Sequence, residues 1–528
     1  MKKALSIVLL IVMLATVFLA GGCGSVETTA PTQPSSTTAG PGKTDPPETT
    51  AEPEETVEIT AIWWSNGGVV SEEGMAKVNE ALEKITVPLI NVKVNLEIWD
   101  VGTYVSQAAT VVANNEDVDL MITFPAAAGH FTPMTAQKML LPLDDLLKTY
   151  APETLKVIPE GWWSAVSQDG KVYGVPIYFN KANNLYLVYD EAMADAVGIA
   201  EGDVKTLDDI YDMLVAVKAK FPDVIPVTGD NLTLDFTYPG FDLIGNSVYD
   251  VLGETSAVAA GVKINADGTS DYKVFSRYED ENFKTMITML RKWYNEGLID
   301  RDAQNYEGKG KNLDGTVFCF TEPGPYSSLV MKMFNYNNKA RYVQLGEGFL
   351  GTGALRQMTV ALPVSCDEPE AAAKFLNLLY TNEDVINLVN FGVEGEHYVV
   401  AENGQLDYPE GLSRQTTNYY PNAYNYVGNY FLNKTWVGTD PQLNVIEEQA
   451  LANVKVSPLL GLTFDVGPIG DVHSQLSALA HDEYGPALFT GAAPDGWYEE
   501  FIAKMKAAGL DEYMAELQRQ IDDWLAKQ

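Results

Sequence analysis

The sequence has little cysteine, little histidine and few positive charges. It contains 3 cysteines, 4 histidines, and 35 lysine and arginine residues against 72 aspartate and glutamate residues, which gives a formal net charge of −37 at pH 7. So large an acidic excess excludes partners recognised through their own negative charge, such as nucleic acid and anionic lipid surfaces. Cys23 lies close to the N-terminus and leaves Cys319 and Cys366 for the rest of the chain. A disulfide scaffold is therefore excluded, and we expect two buried free thiols, with a single bridge between them as the alternative.

The chain also lacks the short motifs that mark common enzymes. It contains no nucleophile elbow, no zinc-spaced cluster of histidine and cysteine, and no phosphate-binding glycine loop. The acid pairs Asp208-Asp209 and Glu499-Glu500 lie where helices are predicted to begin, a position that the helix dipole favours, and do not mark a glycosidase site. We predict neither an enzyme nor a resident cofactor or metal. Calcium binding by the acidic, glycine-rich segment 229–272 stays open.

The N-terminal residues have the pattern of an export signal. Lys2 and Lys3 precede an apolar run over residues 4–20, and small residues stand directly before Cys23. This order resembles a bacterial lipoprotein signal, in which the cysteine is lipidated and becomes the mature N-terminus. A plain secretory signal with an incidental cysteine is the alternative. We predict a signal peptide over residues 1–22.

The segment that follows has the composition of a linker. Residues 24–57 contain no aromatic side chain and are rich in threonine, proline, serine, glycine and glutamate. Such a composition cannot bury enough apolar surface to fold. We therefore predict a lipid-anchored, disordered linker over residues 23–57 and a folded part that begins at residue 58.

The folded part begins with alternating strands and helices. Residues 58–63, 92–99 and 118–124 have the apolar pattern of strands, and residues 72–85 and 103–115 have the spacing of helices. This order predicts a βαβαβ unit with a parallel sheet. Parallel sheets bind ligands at the carboxyl ends of their strands. Candidate ligand contacts at these ends are Trp64, Asn66, Trp99 and Phe124.

A hinge is predicted at residues 172–180. This short apolar strand is broken by Gly174 and Pro176, runs into an aromatic and asparagine cluster, and continues into a strand over 184–189. With 528 residues the chain is too long for one core. Further elements are predicted as helices over 207–221, 283–297 and 370–380, strands over 224–227, 315–321 and 356–362, a helix that opens at Tyr326, and C-terminal helices. We therefore interpret residues 172–180 as the passage from one α/β domain to another.

Several stretches resemble the family-1 extracellular solute-binding proteins, the lipid-anchored receptors of ATP-driven importers. They are residues 316–326, 358–398 and 457–528, the N-terminal βαβ unit, and the Tyr173-Gly174-Val175-Pro176 segment. The runs 375–380, 390–398 and 457–465 resemble the subfamily of large sugar-type lipoproteins with an extended C-terminal region. The resemblance spans nearly the whole folded part. It implies a periplasmic-binding-protein-like α/β fold with two lobes joined by hinge strands around a ligand cleft.

Pattern and resemblance together predict lobes that are discontinuous in sequence. Lobe 1 is expected over residues 58–177, with a return over 352–398, and lobe 2 over 178–351. The C-terminal region, residues 399–528, is expected to supply helices that buttress the lobes and the cleft.

The resemblance implies a receptor that captures a carbohydrate, in particular an oligosaccharide, by lobe closure and delivers it to an ABC permease at the extracytoplasmic face of the membrane. Aromatic rings suit the apolar faces of sugars, while amides and carboxylates suit their hydroxyls. Besides the strand-end residues, the predicted ligand contacts are Tyr178, Glu322, Tyr326 and His397. Trp64 and Tyr326 are expected to sandwich the ligand from opposite lobes. A receptor for peptides or other small solutes and a secreted glycoside hydrolase are the alternatives.

The first prediction concerns the anchor. We expect the mature protein to begin at Cys23 and to carry lipid there, because the charged, apolar and small-residue order is followed by a tether. Mass spectrometry of the membrane fraction checks this, and an unmodified N-terminus at another residue would rule it out. A chain shortened to begin near Glu58 should be soluble and should still bind ligand.

Overall fold

The computed structural model describes residues 55–125, 128–182, 184–228, 235–237, 240–252, 258–303, 313–335 and 339–528. These ranges belong to one compact unit, Glu54–Gln528. The predicted signal peptide, Cys23 and nearly all of the predicted linker lie outside the described residues. Within these ranges, none of the helices combines the length and apolar character of a membrane span.

Sheet I contains five strands. In spatial order they are Val92–Asp100, Val57–Ser65, Leu120–Ile122, Thr359–Ala361 and Val175–Pro176. Val57–Ser65 pairs in parallel with Val92–Asp100 and with Leu120–Ile122, so the predicted βαβαβ unit and its parallel sheet are confirmed. Thr359–Ala361 is antiparallel to both of its neighbours.

The two helices of this unit begin at side-chain caps. The helix Glu72–Ile90 starts where Ser71 accepts a hydrogen bond from the backbone N–H of Gly74, and it buries residues such as Val78 and Leu82. The helix Val101–Ala113 starts in the same way at Asp100, which accepts from the N–H of Thr103. Such caps satisfy N–H groups that have no partner inside the helix. Local sequence therefore decides where the chain turns from strand into helix.

Gly174 allows the last strand of sheet I to pair. A Cβ atom at this position would lie 2.7 Å from Oγ1 of Thr359, which is closer than real contacts permit. Pro176 cannot donate to a neighbouring strand, and it lies on the edge of the sheet, where no donor is needed. The glycine and proline of the predicted hinge are thus explained by the sheet edge that they form.

Sheet II contains four strands. In spatial order they are Ala340–Gly346, Asn184–Asp190, Val317–Gly324 and Ile225–Thr228. Asn184–Asp190 is antiparallel to both of its neighbours, and Ile225–Thr228 is parallel to Val317–Gly324. The segment that begins at residue 177 therefore leads from the edge of sheet I to the strand Asn184–Asp190 in the interior of sheet II, at the place where the hinge is predicted. Movement about this segment stays a prediction.

The segment 229–280, for which no helix or strand is predicted, contributes a third sheet. Its described strands are Phe241–Asp242, Ser247–Asp250, Ala260–Ile264 and Val274–Ser276, all antiparallel. The C-terminal helices Trp497–Ala507 and Leu510–Leu525 share a buried core with this sheet. Strands this short carry too few residues to show a period of two, so their pattern was weak.

The remaining helices agree in position with the predicted ones where a prediction was made. They are Phe131–Ala136, Asp144–Tyr150, Pro152–Val157, Glu191–Ala196, Leu207–Lys220, Glu281–Asn295, Tyr326–Asn335, Thr352–Arg356, Pro369–Thr381, Glu383–Phe391, Leu443–Ala452, Gly470–Ala478 and Gly485–Phe489. Short strand pairs join Val69–Val70 to Tyr419–Tyr420, Ser167–Gln168 to Lys171–Val172, Phe349–Leu350 to Lys455–Val456, and Val399–Val400 to Leu406–Asp407.

Cys319 and Cys366 are both free thiols. Cys319 is buried in a strand of sheet II, whereas Cys366 is only partly buried, just before the helix Pro369–Thr381. Burial raises the pKa of both thiols above the usual range. The expectation of two free thiols is confirmed, although only one of them is fully buried.

We predict that Tyr380→Phe lowers the free energy of unfolding by about 1–3 kcal/mol, since it removes a buried hydrogen bond. The Tyr380 hydroxyl donates to the carbonyl oxygen of Pro176 at 2.9 Å and lies 3.1 Å from that of Val175. Urea unfolding measures the change. The control is Tyr398→Phe, at a buried tyrosine that packs in a small separate cluster. Equal losses in both variants would contradict a specific role for Tyr380.

Candidate functional site

Aromatic side chains gather at the carboxyl edge of sheet I. Trp64 lies opposite Trp99 in the strand register. The Trp64 ring is 5.0 Å from Phe124 and 5.1 Å from Tyr104, measured between centroids, and Tyr104 is 5.8 Å from Trp99. The three aromatic strand ends found in the sequence therefore form one cluster, to which Tyr104 adds a fourth ring.

Trp64 itself is covered by protein. Tyr426 stacks on it with ring centroids 4.5 Å apart and planes 5° apart, and the Tyr426 hydroxyl donates to the carbonyl oxygen of Trp64 at 2.7 Å. Only 3% of Trp64 is exposed. The expectation that Trp64 offers a ring face to a ligand does not fit this arrangement, because Tyr426 from the C-terminal region already occupies that face.

Asn66 lies just beyond this cluster and is exposed. Its backbone N–H donates to the carbonyl oxygen of Pro421 at 3.0 Å, and its own carbonyl oxygen accepts from Nδ2 of Asn422 at 2.8 Å. The backbone of Asn66 is thus held in place by the C-terminal region. Its position at the strand end is the one that was predicted.

Tyr178 is held by the same region of the chain. Its N–H donates to the carbonyl oxygen of Gly428, and its carbonyl oxygen accepts from the N–H of Tyr430, both at 3.0 Å. Its half-buried ring lies 5.1 Å from Phe431 and 5.8 Å from Trp162. The predicted hinge therefore lies beside residues 428–431, and backbone hydrogen bonds join the two segments.

Glu322 and Tyr326 lie on the side of sheet II. Glu322 forms an ion pair with Lys332 at 3.2 Å. Tyr326 is the first residue of the helix Tyr326–Asn335, and its ring centroid is 6.2 Å from that of Tyr342. Tyr342 is 39% exposed and packs edge-on against Tyr186. No sequence pattern singles out Tyr342 beyond its alternation in a short strand, yet it is the most exposed ring of this group.

The hydroxyl groups of Tyr326 and Tyr186 are neutral at physiological pH, because the pKa values of both are raised. Burial, together with the nearby Tyr342, raises the pKa of Tyr326 to about 12. Burial also raises the pKa of Tyr186 to about 12. Neutral tyrosine hydroxyls both donate and accept hydrogen bonds, which matches the hydroxyl groups of an uncharged polar ligand.

Glu447 is a buried residue that sequence reasoning missed. It lies on the helix Leu443–Ala452 and none of it is exposed. Its carboxylate accepts hydrogen bonds from Nδ2 of Asn180, at 2.7 Å, and from the backbone N–H of Ser327. These partners are 267 and 120 residues away along the chain, so no local pattern could reveal the contact.

His397, which was predicted to contact a ligand, is buried and makes its contacts within the protein. Its Nδ1 accepts from the N–H of Val393 at 2.8 Å, its ring lies 5.5 Å from Tyr419, and only 2% of it is exposed. Burial lowers the pKa of His397 below the usual range. These contacts support a role in holding the turn over residues 393–398 and do not support ligand contact.

The described part of the chain holds no group of three or more histidine, cysteine, aspartate or glutamate side chains arranged for a metal ion. Residues 229–234, 238–239 and 253–257 of the segment considered for calcium lie outside the described residues. The groups described beside the two sheets are aromatic rings, hydroxyls, amides and the carboxylates of Glu322 and Glu447. Such a set can bind a polar, uncharged molecule with apolar faces.

Two family models match the sequence. One, described as "Bacterial extracellular solute-binding protein", matches residues 80–392, which is more than half of the chain. The other, described as a domain of unknown function (DUF3502), matches residues 458–526. A curated protein of Streptococcus pneumoniae named "Carbohydrate ABC transporter substrate-binding protein" is 24% identical over 469 residues, which cover 86% of this chain and 88% of that protein.

Solved structures show the same fold. The N-glycan transport solute binding protein (NgtS) from Streptococcus pneumoniae is 21% identical and superimposes with a TM-score of 0.72, over 89% of this chain and 99% of that chain. Its complex with Man5GlcNAc superimposes with a TM-score of 0.61, at 20% identity and over the same shares of the two chains. Both likenesses confirm the predicted two-lobed, periplasmic-binding-protein-like fold class.

We predict that Trp64→Ala lowers the free energy of unfolding by about 3–5 kcal/mol, the usual cost of removing a buried tryptophan. The reason is that the ring packs on Tyr426, Phe124 and Tyr104. Denaturant unfolding measures this. The matched variant Trp99→Ala should cost less, because Trp99 is only partly buried. If Trp64→Ala left stability unchanged, the ring would be free for another role.

Proposed function

Because this chain belongs to the family of bacterial extracellular solute-binding proteins, we propose that it captures an oligosaccharide and delivers it to the permease of an ABC importer. The relatives support the choice of ligand class: one is named as a carbohydrate transporter component, and another binds Man5GlcNAc. The observation in this chain that carries the proposal is the group of partly open tyrosines, Tyr326 and Tyr342, beside the hinge.

The chemistry of this tyrosine group suits a sugar. A pyranose ring has apolar CH faces that pack on aromatic rings and hydroxyl groups that need hydrogen-bond partners when water is removed. Tyr342 offers an exposed ring, and Tyr326 adds a neutral hydroxyl next to it. Asn66 and Glu322, predicted as ligand contacts, supply an amide and a carboxylate on the two sides of the hinge.

We propose that the ligand lies between the two sheets and that the lobes move about residues 177–182. Lobe 1 would then comprise residues 58–177 and 352–398, and lobe 2 residues 178–351, as predicted from sequence. Two structures of the same relative superimpose on this chain to different degrees, which supports a fold with more than one arrangement of its lobes. Closure would exclude water and give the permease one shape to recognise.

Lipid anchoring at Cys23 completes the proposal. The family is extracellular, so a receptor without an anchor would diffuse away from its permease. A lipid on Cys23, together with the linker over residues 23–57, would keep the receptor at the extracytoplasmic face of the membrane.

We predict that Tyr342→Ala and Tyr326→Ala each weaken oligosaccharide binding by about 1–3 kcal/mol, the value of burying one aromatic face. Isothermal titration calorimetry with Man5GlcNAc and with a panel of shorter and longer oligosaccharides measures the loss. Tyr211→Ala is the control, because Tyr211 lies on the helix Leu207–Lys220 with Lys292 over its ring. Its affinity should stay at the wild-type value.

The same panel separates the alternatives. Stable one-to-one binding of an intact labelled oligosaccharide supports the receptor, and release of shorter fragments would show a hydrolase instead. Binding of peptides without binding of any oligosaccharide would overturn the proposed ligand class. A ligand that binds only the folded chain should also raise the melting temperature, by mass action.

A further inference from the structure

The Glu447 carboxylate joins two parts of the molecule that flank the ligand site. One oxygen accepts from Nδ2 of Asn180 in the hinge at 2.7 Å, and the other accepts from the backbone N–H of Ser327. Asn180 is 2% exposed and Glu447 is fully buried. A buried carboxylate is costly unless its oxygens are hydrogen-bonded, so both contacts are needed to keep it there.

The side-chain amide of Asn180, the partner of Glu447 in the hinge, has a defined orientation. Oδ1 of Asn180 accepts from the backbone N–H of Ala182 at 3.1 Å, so its amide nitrogen is directed at Glu447. An acceptor at position 447 therefore matches a donor at position 180. This complementarity can be inverted by exchanging the two side-chain types.

On the side of sheet II, the partner of Glu447 is Ser327, which lies at the start of a helix. Ser327 is the second residue of the helix Tyr326–Asn335, whose first N–H groups have no partner within the helix. A negative charge at this end is favoured by the helix dipole. Because Tyr326 directly precedes Ser327, the bond to Glu447 also holds the backbone to which the Tyr326 ring is attached.

We propose that Glu447 is a positioning residue, which holds the hinge at Asn180 and the start of the Tyr326–Asn335 helix in the geometry that binds ligand. This inference rests on the proposed function for its effect on affinity. Its effect on the helix start is independent of any ligand. In its ionised form the side chain accepts both hydrogen bonds, whereas a protonated form would direct an O–H at a donor and lose one of them.

The proposal implies that ligand affinity falls in acid. Burial raises the pKa of Glu447, so protonation begins above the pH at which an exposed glutamate titrates. The other titratable groups that act on it are Tyr186, Tyr326 and Tyr430, whose pKa values burial raises, so they stay neutral in this range. Lys181, next to Asn180, donates to the carbonyl oxygen of Met358 at 3.3 Å, and burial lowers its pKa to about 7.

The sign of this effect separates positioning from unfolding. An acid with a raised pKa binds its proton more tightly in the folded chain than in the unfolded chain, so its titration makes the fold more stable as pH falls. Loss of affinity in acid through Glu447 would therefore occur without loss of stability from the same group.

The test exchanges the two side-chain types in the full chain. Glu447→Gln places an amide nitrogen against that of Asn180, and Asn180→Asp places two carboxylates against each other. The double variant restores one donor facing one acceptor and keeps an acceptor for Ser327. Glu448→Gln is the matched control, since Glu448 is the exposed neighbour on the same helix. Affinity is measured with Man5GlcNAc and the oligosaccharide panel, and hydrogen exchange with mass spectrometry reports on residues 324–330.

Each single variant should weaken binding roughly tenfold to a hundredfold, the range for a hydrogen bond to a charged group, and should speed exchange over residues 324–330. The double variant should recover most of both properties. Because burial raises the pKa of Glu447, wild-type affinity should already fall as the pH is lowered toward the range in which an exposed glutamate titrates, and the Glu447→Gln variant should lose this part of the dependence.

Additive losses in the double variant, or wild-type behaviour of both single variants, would overturn the proposal. If the wild-type chain bound no oligosaccharide, the proposed function would fail, and the exchange data alone would decide the role of Glu447. If hydrogen exchange over residues 324–330 were then as slow in all three variants as in the wild type, the Glu447 carboxylate would not hold the start of the helix.

Discussion

The stacking of Tyr426 on Trp64 is the contact on which the packing at the carboxyl edge of sheet I depends. It joins the C-terminal region to this edge at Tyr426, with a hydrogen bond from the Tyr426 hydroxyl to the Trp64 backbone. The same region then bridges the hinge through Gly428 and Tyr430, on either side of Tyr178. Because these contacts follow one another along a short stretch of chain, displacing the stack would also loosen the hinge.

The C-terminal region therefore contacts the proposed ligand site as well as the sheets on either side of it. The helix Leu443–Ala452 follows the segment that covers sheet I and brings Glu447 against the helix that begins at Tyr326. Sheet I, the hinge and sheet II are thus linked through residues that come late in the chain. Farther on, the helices Trp497–Ala507 and Leu510–Leu525 pack on the third sheet, so that the region stabilises both sides of the hinge.

The charge of the protein bears on the kind of sugar that it would select. With a formal net charge of −37, the protein repels an anionic polysaccharide electrostatically and does not repel a neutral one. The groups proposed to contact the ligand are aromatic rings, hydroxyls and an amide, with Glu322 paired to Lys332. Both the long-range field and the local chemistry thus favour an uncharged oligosaccharide.

The sequence by itself determined the elements whose cause is local. Apolar alternation identified the strands of the βαβαβ unit, and the spacing of Phe283, Ile287 and Leu290 identified a helix, because a side chain's face depends only on its place in a regular period. The aromatic ends of the parallel strands were found for the same reason, since neighbouring parallel strands end at one edge. The tertiary structure alone decided which of these groups are free. Tyr426 covers Trp64, and His397 accepts a hydrogen bond within the turn over residues 393–398. Tyr342 and Glu447 pack against residues far from them in sequence. Burial and long-range pairing depend on what the rest of the chain places against a residue, and no local pattern carries that information.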